Sequence, residues 1–346
     1  MSSIKQGNKA VTQNDVAKAA GVTRSMVSYV INGNTDRSVA PETRERILSV
    51  IEELGYRPNK AAQALQLGDV AFAEKNIGLV IPNGEIFLRP YYSEIIAGIH
   101  TAAHANGYTI KFIRFFDELK NPVLFNEIIH PESIGSLILL ALNQAITTGD
   151  DIKIIEKIKT QIEDIVCLEW KYEGLSSVGF DRQETAKKAT EYLINKQYDD
   201  IIYIGEKDER IFGVQQALLQ HNLNAVMNNF YLAESFSMEG GYQAMFSIAK
   251  KRKLPQAIVC GSDEVAVGVI RYLNEQKIAI PEQVALISID NIEISAFTNP
   301  PLTTMHVKKK LMGQKAVEMI KNKAFGQGDN AVCVNLPVEV IERKSC

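Results

Sequence analysis

The stretch Asn14–Asn34, NDVAKAAGVTRSMVSYVINGN, decides how the chain is organised. Thr12 and Asp15 stand three apart, the spacing of a reciprocal helix cap, and Val16, Ala17, Ala19 and Ala20 continue a short helix. Gly21 ends it, where a left-handed residue costs least. Thr23 is placed to cap a second helix whose apolar face is Met26, Val27, Val30 and Ile31. Helix, a turn of about three residues with glycine, then helix is the helix-turn-helix arrangement, whose second helix enters the DNA major groove. Pro41 opens a third helix through ETRERILSVIEELG to Gly55, with Ile47, Leu48, Val50, Ile51 and Leu54 as a stripe to close a three-helix core. Three helices packed for stability alone share this pattern, so the DNA reading needs further support.

Composition bounds the rest. The 346 residues allow two or three domains, and 46% hydrophobic with 23% charged residues is ordinary for a soluble globular protein. The start, MSSIKQGNKA, is polar and has no apolar core of a signal peptide. The best apolar run, Ile134–Leu142, is too short to span a bilayer and fits a buried strand. Cys167, Cys260, Cys333 and Cys346 are scattered without a C-x-x-C pair, as expected of reduced thiols. These features place the chain in the cytoplasm. The overall charge of −3 hides an asymmetry: residues 1–60 hold nine Lys/Arg against six Asp/Glu, net +3, and the remainder holds 29 against 35, net −6. A basic small module on an acidic body is the polarity expected of a module that meets phosphates.

A second unusual element follows, GYRPNKAAQALQLG at Gly55–Gly68, where Pro58 interrupts the chain before a short Ala/Gln/Leu helix carrying Leu65. Together NDVAKAAGVTRSMVSYVIN, ETRERILSVIEELGYRPNKAAQAL and, far downstream, NPPLTT resemble the lactose-repressor (LacI/GalR) family of bacterial transcription regulators. The likeness is most specific over residues 14–65 and continues to the C-terminus. It implies residues 1–57 as a helix-turn-helix headpiece, 58–68 as a hinge helix, 69–76 as a linker and 77–346 as an effector-binding and dimerisation domain. Within that domain it implies an N-subdomain near 77–178 and 307–332 and a C-subdomain near 179–304 and 335–346.

By resemblance, Arg24, Ser25 and Tyr29 fall where the family reads bases. Arg24 suits guanine O6 and N7, and Ser25 can donate or accept. Tyr29 departs from the usual Arg and suits a thymine methyl or a phosphate instead. Thr12, Thr23, Ser28 and Asn32 are expected at phosphates, which position without specifying. Asn59, Ala62 and Leu65 are expected DNA contacts of the hinge, with Leu65 as the wedge that opens a central base step in the minor groove. Two further departures are the loop NGNTDRSVA, about two residues longer than the family's, and Ala40 where a capping Ser is common.

Beyond the linker, apolar runs (IGLVI, YTIKFI, SLILLAL, DIVCL, DIIYIG, AIVCG, VALISID) alternate with helical segments near 92–106, 151–161, 183–197, 212–221, 239–252, 263–276 and 308–323. Such alternation means parallel α/β sheets. The resemblance implies two such halves of the periplasmic-binding-protein architecture, crossed by the chain near 178–180, 304–307 and 332–335, with a ligand at the strand carboxyl ends. Asp181, Arg210 and Asp290 match its effector-binding positions, and paired hydroxyls of a sugar suit such groups. Arg89, Tyr92, Arg182 and Ser262 stand at further matching positions, all four as departures: Arg89, Arg182 and Ser262 replace Asn, and Tyr92 replaces Phe. Tyr91, Tyr92, Trp170, Phe180 and Phe297 are candidates for an apolar wall. Two added arginines near Arg210 point to an acidic or phosphorylated carbohydrate, unless they are solvated or paired with Asp181 and Asp290.

Other classes fare worse. A free periplasmic sugar-binding protein would have the same body without residues 1–68, and a sugar-modifying enzyme with a fused DNA-binding module is the remaining alternative. His100 and His104 share a helix face at i, i+4, but HTAAH lacks the acidic base of H-E-x-x-H, and a surface or dimer-contact role suits them better. No G-x-S-x-G or phosphate-binding glycine loop is present. No cofactor or metal is expected. The family implies a two-fold homodimer on a pseudo-palindromic operator, and PVEVIERKSC carries no leucine heptads for a tetramer. Most relatives resemble repressors released by an inducing sugar, while some need a corepressor or a partner phosphoprotein.

Overall fold

The computed structural model describes residues 11–31, 39–54, 56, 73–226, 229–325 and 331–346. The chain divides into a unit ending at Phe72 and a unit beginning at Ala73.

In the first unit, α1 (Gln13–Ala20), α2 (Arg24–Ile31) and α3 (Pro41–Glu53) surround a small core of Val16, Ala17, Ala20, Val27, Val30, Ile47 and Tyr56. The cap at Thr12 is reciprocal: its hydroxyl accepts from the Asp15 amide at 3.3 Å while the Asp15 carboxylate takes the Thr12 amide at 2.8 Å. Gly21 is left-handed at φ +64 and closes α1 by donating to carbonyls of its last turn. Thr23 Oγ1 accepts from the Met26 amide at 3.3 Å and so caps α2. The stripe expected on α3 is narrower than read. Leu48 is 49% exposed and Leu54, beyond the helix end, is 37% exposed. Leu48 lies about 100° around the helix from Ile47, off the i, i+3, i+4 face that holds Val50 and Ile51.

The second unit holds two six-stranded sheets. The first runs β11-β5-β4-β3-β1-β2 and uses β1 (Asn76–Ile81), β2 (Thr109–Phe115), β3 (Ser136–Leu140), β4 (Asp164–Leu168), β5 (Ser176–Gly179) and β11 (Cys333–Asn335). The second runs β12-β10-β9-β8-β6-β7 and uses β6 (Ile201–Gly205), β7 (Phe230–Leu232), β8 (Ala257–Cys260), β9 (Ala285–Asp290), β10 (Thr303–His306) and β12 (Glu339–Ile341). All pairs are parallel except β10–β12. β1, β3, β6, β8 and β9 are buried along their whole length, which is why they read as unbroken apolar runs. The helices between them are α4 (Pro90–Ala105), α5 (Pro122–Ile128), α6 (Gly149–Gln161), α7 (Arg182–Asn195), α8 (Glu209–Gln220), α9 (Met238–Lys251), α10 (Asp263–Glu275) and α11 (Lys309–Lys321).

The chain passes between lobes three times, at 179–182, 306–309 and 335–339. The third crossing lies later than expected, because Cys333–Asn335 first pairs with Ser177–Gly179 as an extra strand of the first sheet. α11 returns to the first lobe and crosses α4 at van der Waals contact. A Cβ on Gly98 would lie 2.2 Å from the Lys310 carbonyl oxygen and one on Gly313 2.3 Å from that of Ile95, so both positions require glycine.

Candidate ligand cleft and nucleic-acid interface

A cleft of about 680 Å³ opens between the two sheets of the second unit. Its walls come from the segments that leave β1, β3, β4, β5, β6 and β9 at their carboxyl ends, where a parallel sheet leaves a crevice. Arg89, Tyr92, Asp181, Arg182, Arg210 and Asp290 all line it, as do Tyr91, Trp170 and Phe180 from the expected wall. Two residues fall elsewhere. Phe297 is 78% exposed and lines no part of the cleft. Ser262 is fully buried behind it, where its hydroxyl caps α10 by accepting from the Val265 amide at 3.2 Å. A short hydroxyl at the start of a buried helix satisfies the backbone rather than a ligand.

Three guanidiniums dominate the cleft, and each already has a carboxylate. Arg89 donates from Nε to Glu264 Oε2 at 2.9 Å, with Nη2 2.8 Å from the same oxygen. Its guanidinium carbon lies 5.3 Å from the ring centroids of both Tyr92 and Phe236. Arg182 Nη2 donates to the Glu169 carbonyl at 2.8 Å and to Glu169 Oε2 at 3.0 Å. Arg210 pairs with Asp208, whose Oδ1 also accepts the Arg210 amide at 3.0 Å. Burial works against the Arg210 charge, yet Asp208, Tyr203 and Asp290 outweigh it and hold the group above the usual guanidinium value. The arginines added at positions 89 and 182 are therefore paired, though with Glu264 and Glu169 rather than with Asp181 and Asp290. Asp181 instead caps α7, its Oδ1 accepting the Glu184 amide at 2.8 Å.

The polar atoms left over point inward. Tyr91 Oη, Glu169 Oε1 and Arg210 Nε are buried, line the cleft and make no hydrogen bond. Tyr91 Oη lies near the Glu169 carboxylate but outside bonding geometry. Buried polar atoms are rarely orphaned without a partner to come. Asp290 sits at φ +126 with its carboxyl at the cleft; burial, then the neighbouring Asp263 charge, push that carboxyl well above the usual range. Asp263 braces the same turn from behind, accepting from Ser288 Oγ at 2.5 Å, Thr304 Oγ1 at 2.6 Å and the Ile292 amide at 2.7 Å.

Glu169, Asp208, Glu264, Phe236 and the buried Lys309 were not singled out from the sequence. The rule that found Asp181 and Asp290 extends to two of them, since Glu169 directly follows β4 and Asp208 stands three residues past β6. Glu264 and Phe236 carry no such local signal.

In the first unit, Thr23, Arg24 and Ser25 are exposed at the start of α2, and Ser28 and Tyr29 are half-exposed one turn on. All lie away from Val27 and Val30, which face the core. Arg24 Nε reaches Gln13 Oε1 at 3.4 Å, a long contact that leaves the guanidinium at the surface. The Thr12 hydroxyl donates to Asp15 at 2.6 Å and is engaged in its cap. Asn32, Asn59, Ala62 and Leu65, with the expected hinge helix, lie outside the described residues.

Comparison with known proteins adds to this geometry. Residues 12–59 match the family "Bacterial regulatory proteins, lacI family", and residues 190–346 match the "Periplasmic binding protein-like domain". The HTH-type transcriptional repressor PurR of Pasteurella multocida is 28% identical over 346 residues, covering 96% of this chain and 98% of that protein. PurR of Histophilus somni is 28% identical with the same coverage. Among solved structures, the Lac repressor dimer bound to operator and the anti-inducer ONPF shares the fold with a TM-score of 0.74 at 22% identity, over 97% of this chain and 99% of that one. A complex of the regulator CelR with cellobiose has a TM-score of 0.67 at 23% identity, over 97% and 100%. With a capped helix-turn-helix at its head and two crossed α/β lobes around a polar cleft, the chain carries a DNA-binding domain of the lacI family together with a periplasmic-binding-protein-like domain.

Proposed function

We propose that this chain is a cytoplasmic, homodimeric transcriptional repressor whose operator affinity is set by a small hydroxyl-rich effector in the interlobe cleft. The observation that carries the effector is the convergence of Tyr91 Oη, Glu169 Oε1 and Arg210 Nε, an acceptor, a donor and one group able to act as either, on one cleft. A sugar ring presents both donors and acceptors to such a set, and Trp170 and Phe236 offer faces for its C–H edges. The lining holds five cations against six carboxylates, and every arginine is paired, which supports an uncharged sugar over an acidic or phosphorylated one. The chain is a regulator rather than an enzyme.

Operator recognition is assigned to Arg24, Ser25 and Tyr29 at base edges and to Thr12, Thr23, Ser28 and Asn32 at phosphates, with Asn59, Ala62 and Leu65 in the minor groove. The relatives named as repressors and the dimeric Lac repressor on its operator support a two-fold dimer on a pseudo-palindrome. No helix among the described residues is long and apolar enough to cross a membrane. Regulation is a linkage: an effector that prefers one lobe angle shifts DNA affinity by its differential affinity for the two states. Selection of the full-length protein on random duplex DNA at fixed salt tests the first half. An enriched pseudo-palindrome with a central C-G step supports headpiece and hinge together, and a palindrome without that step removes the wedge role of Leu65. Calorimetry with neutral sugars against their phosphates and uronates tests the second half; tighter binding of the charged forms overturns the uncharged effector.

A further inference from the structure

Two of the three arginine pairs in the cleft do something the third does not: they join the lobes. Arg89 leaves the first sheet ahead of α4, and Glu264 is on α10 behind the second sheet. Glu169 follows β4 of the first sheet, and Arg182 opens α7, which packs on the second. The polarity is crossed, with arginine on the first lobe in one pair and on the second lobe in the other. Arg210–Asp208, by contrast, lies within one segment of the second lobe.

The two crossed pairs are shielded. Side-chain exposure is 20% and 10% for Arg89 and Glu264, and 22% and 3% for Arg182 and Glu169. Arg89 also reaches over to Phe236 of the second lobe at 5.3 Å, and Arg182 has a second acceptor in the Glu169 carbonyl. Pairs of this kind, part-buried and backed by further contacts, hold more strongly than solvent-exposed ones and resist screening by salt. Each guanidinium thus has a carboxylate partner from the opposite lobe, while Glu169 Oε1 keeps no hydrogen bond.

We propose that Arg89–Glu264 and Arg182–Glu169 form a clasp that closes the two lobes on each other before any effector binds. The clasp rests on the reading of the cleft as the effector site for its regulatory meaning, but not for its existence. With the lobes joined by the protein's own charges, the closed state needs no ligand to bridge it. An effector then acts by fitting inside the closed cleft, through Tyr91, Glu169 Oε1 and Arg210, or by taking a clasp partner and opening it.

Trp170, the sole tryptophan, reports on this because it lines the cleft and is only 7% exposed. The experiment is acrylamide quenching of Trp170 in the ligand-free full chain, for wild type, Arg89→Glu, Arg182→Glu, and the charge-swapped pairs Arg89→Glu/Glu264→Arg and Arg182→Glu/Glu169→Arg. The expected result is a rise in quenching of about twofold or more on either reversal, returning toward wild type in the Arg89/Glu264 swap. Unchanged quenching in a folded reversal variant, or failure of the Arg89/Glu264 swap to restore it, overturns the clasp. Should Arg89→Glu not fold, Glu264→Gln carries the same test, since it removes the charge at constant shape. Operator affinity measured on the same variants separates the two readings. Raised quenching with unchanged DNA affinity upholds the clasp and overturns instead the linkage between lobe angle and operator.

Discussion

The Lys309 ammonium donates to the backbone carbonyl of Asp290 at 2.6 Å, and so a residue at the interlobe crossover holds the strained end of β9. The same ammonium takes the Asn291 carbonyl at 3.0 Å and that of Val307 at 3.4 Å, and lies 3.6 Å from Glu94 on α4. Asp290 and Asn291 both have positive φ, +126 and +55, so this turn persists only where the surroundings impose it. Lys309→Met keeps the stem and removes the cation from three carbonyls, two of them in buried contacts and one part-buried. The expected loss is about 2–4 kcal/mol of unfolding free energy in urea titration, with an unchanged m-value. A loss below about 1 kcal/mol would show that water replaces the ammonium without cost.

The carboxyls of Asp290 and Asp263 bind protons more tightly in the folded chain than in the unfolded one, because burial penalises both charges and each repels the other. A group with a raised folded pKa stabilises the fold most at low pH, and that contribution is lost as pH rises through the folded value. Stability is therefore expected to increase as pH falls through the Asp263 value of about 6. Asp151 works in the opposite sense at lower pH. Its carboxyl is held well below the usual range by Lys120 and by the Thr147 and Thr148 donors, so its contribution is lost as pH falls below the ordinary carboxylate range. Urea midpoints across this series, for wild type and Asp290→Asn, check the claim: the variant should flatten the rise between neutral and mildly acid pH.

At the headpiece, Arg24→Ala removes the one cation at the exposed start of α2. Loss of a bidentate guanine contact weakens operator binding by about 1–3 kcal/mol, roughly 10- to 100-fold, and relaxes preference at one base pair per half-site. Uniform weakening over all sequences, with a shallower salt dependence, would make Arg24 a phosphate contact instead.

Trp170 is anchored by its indole N–H, which donates to the Leu139 carbonyl at 2.7 Å, while its ring edges the cleft. A sugar that enters the cleft changes the polarity at that ring, so titration should move the emission of the single tryptophan in step with calorimetric saturation. A ligand that saturates by calorimetry without moving the emission binds elsewhere.

Gly98→Ala should disrupt the α4–α11 crossing, because its Cβ would meet the Lys310 carbonyl oxygen at 2.2 Å and neither backbone can yield alone. A loss of about 3 kcal/mol or more in unfolding free energy is expected, against the small gain that alanine brings to an open helix position. Chemical denaturation of the variant decides between the two.

Much of this molecule was legible from local pattern alone. Caps at Thr12 and Thr23, the left-handed Gly21 and Pro41 at the start of α3 each act over three or four residues, so the headpiece could be read helix by helix. The βα alternation was equally clear, since strands buried on both faces are unbroken apolar runs. The family resemblance then picked out Arg89, Tyr92, Asp181, Arg182, Arg210 and Asp290, which the fold brings around one cleft. The short strands β7, β11 and β12, three residues each with partial burial, carry too little periodicity to be seen, which displaced the third crossing. Tertiary structure alone chose the partners. Arg89 and Glu264 stand 175 residues apart, and nothing near either marks the other. Ser262, by contrast, sits at the matching position yet is turned inward to cap α10. Propensity and capping act along the chain and are written in it. The pairing of charges acts through space, at distances of a few ångströms that exist only once both sheets have formed and faced each other.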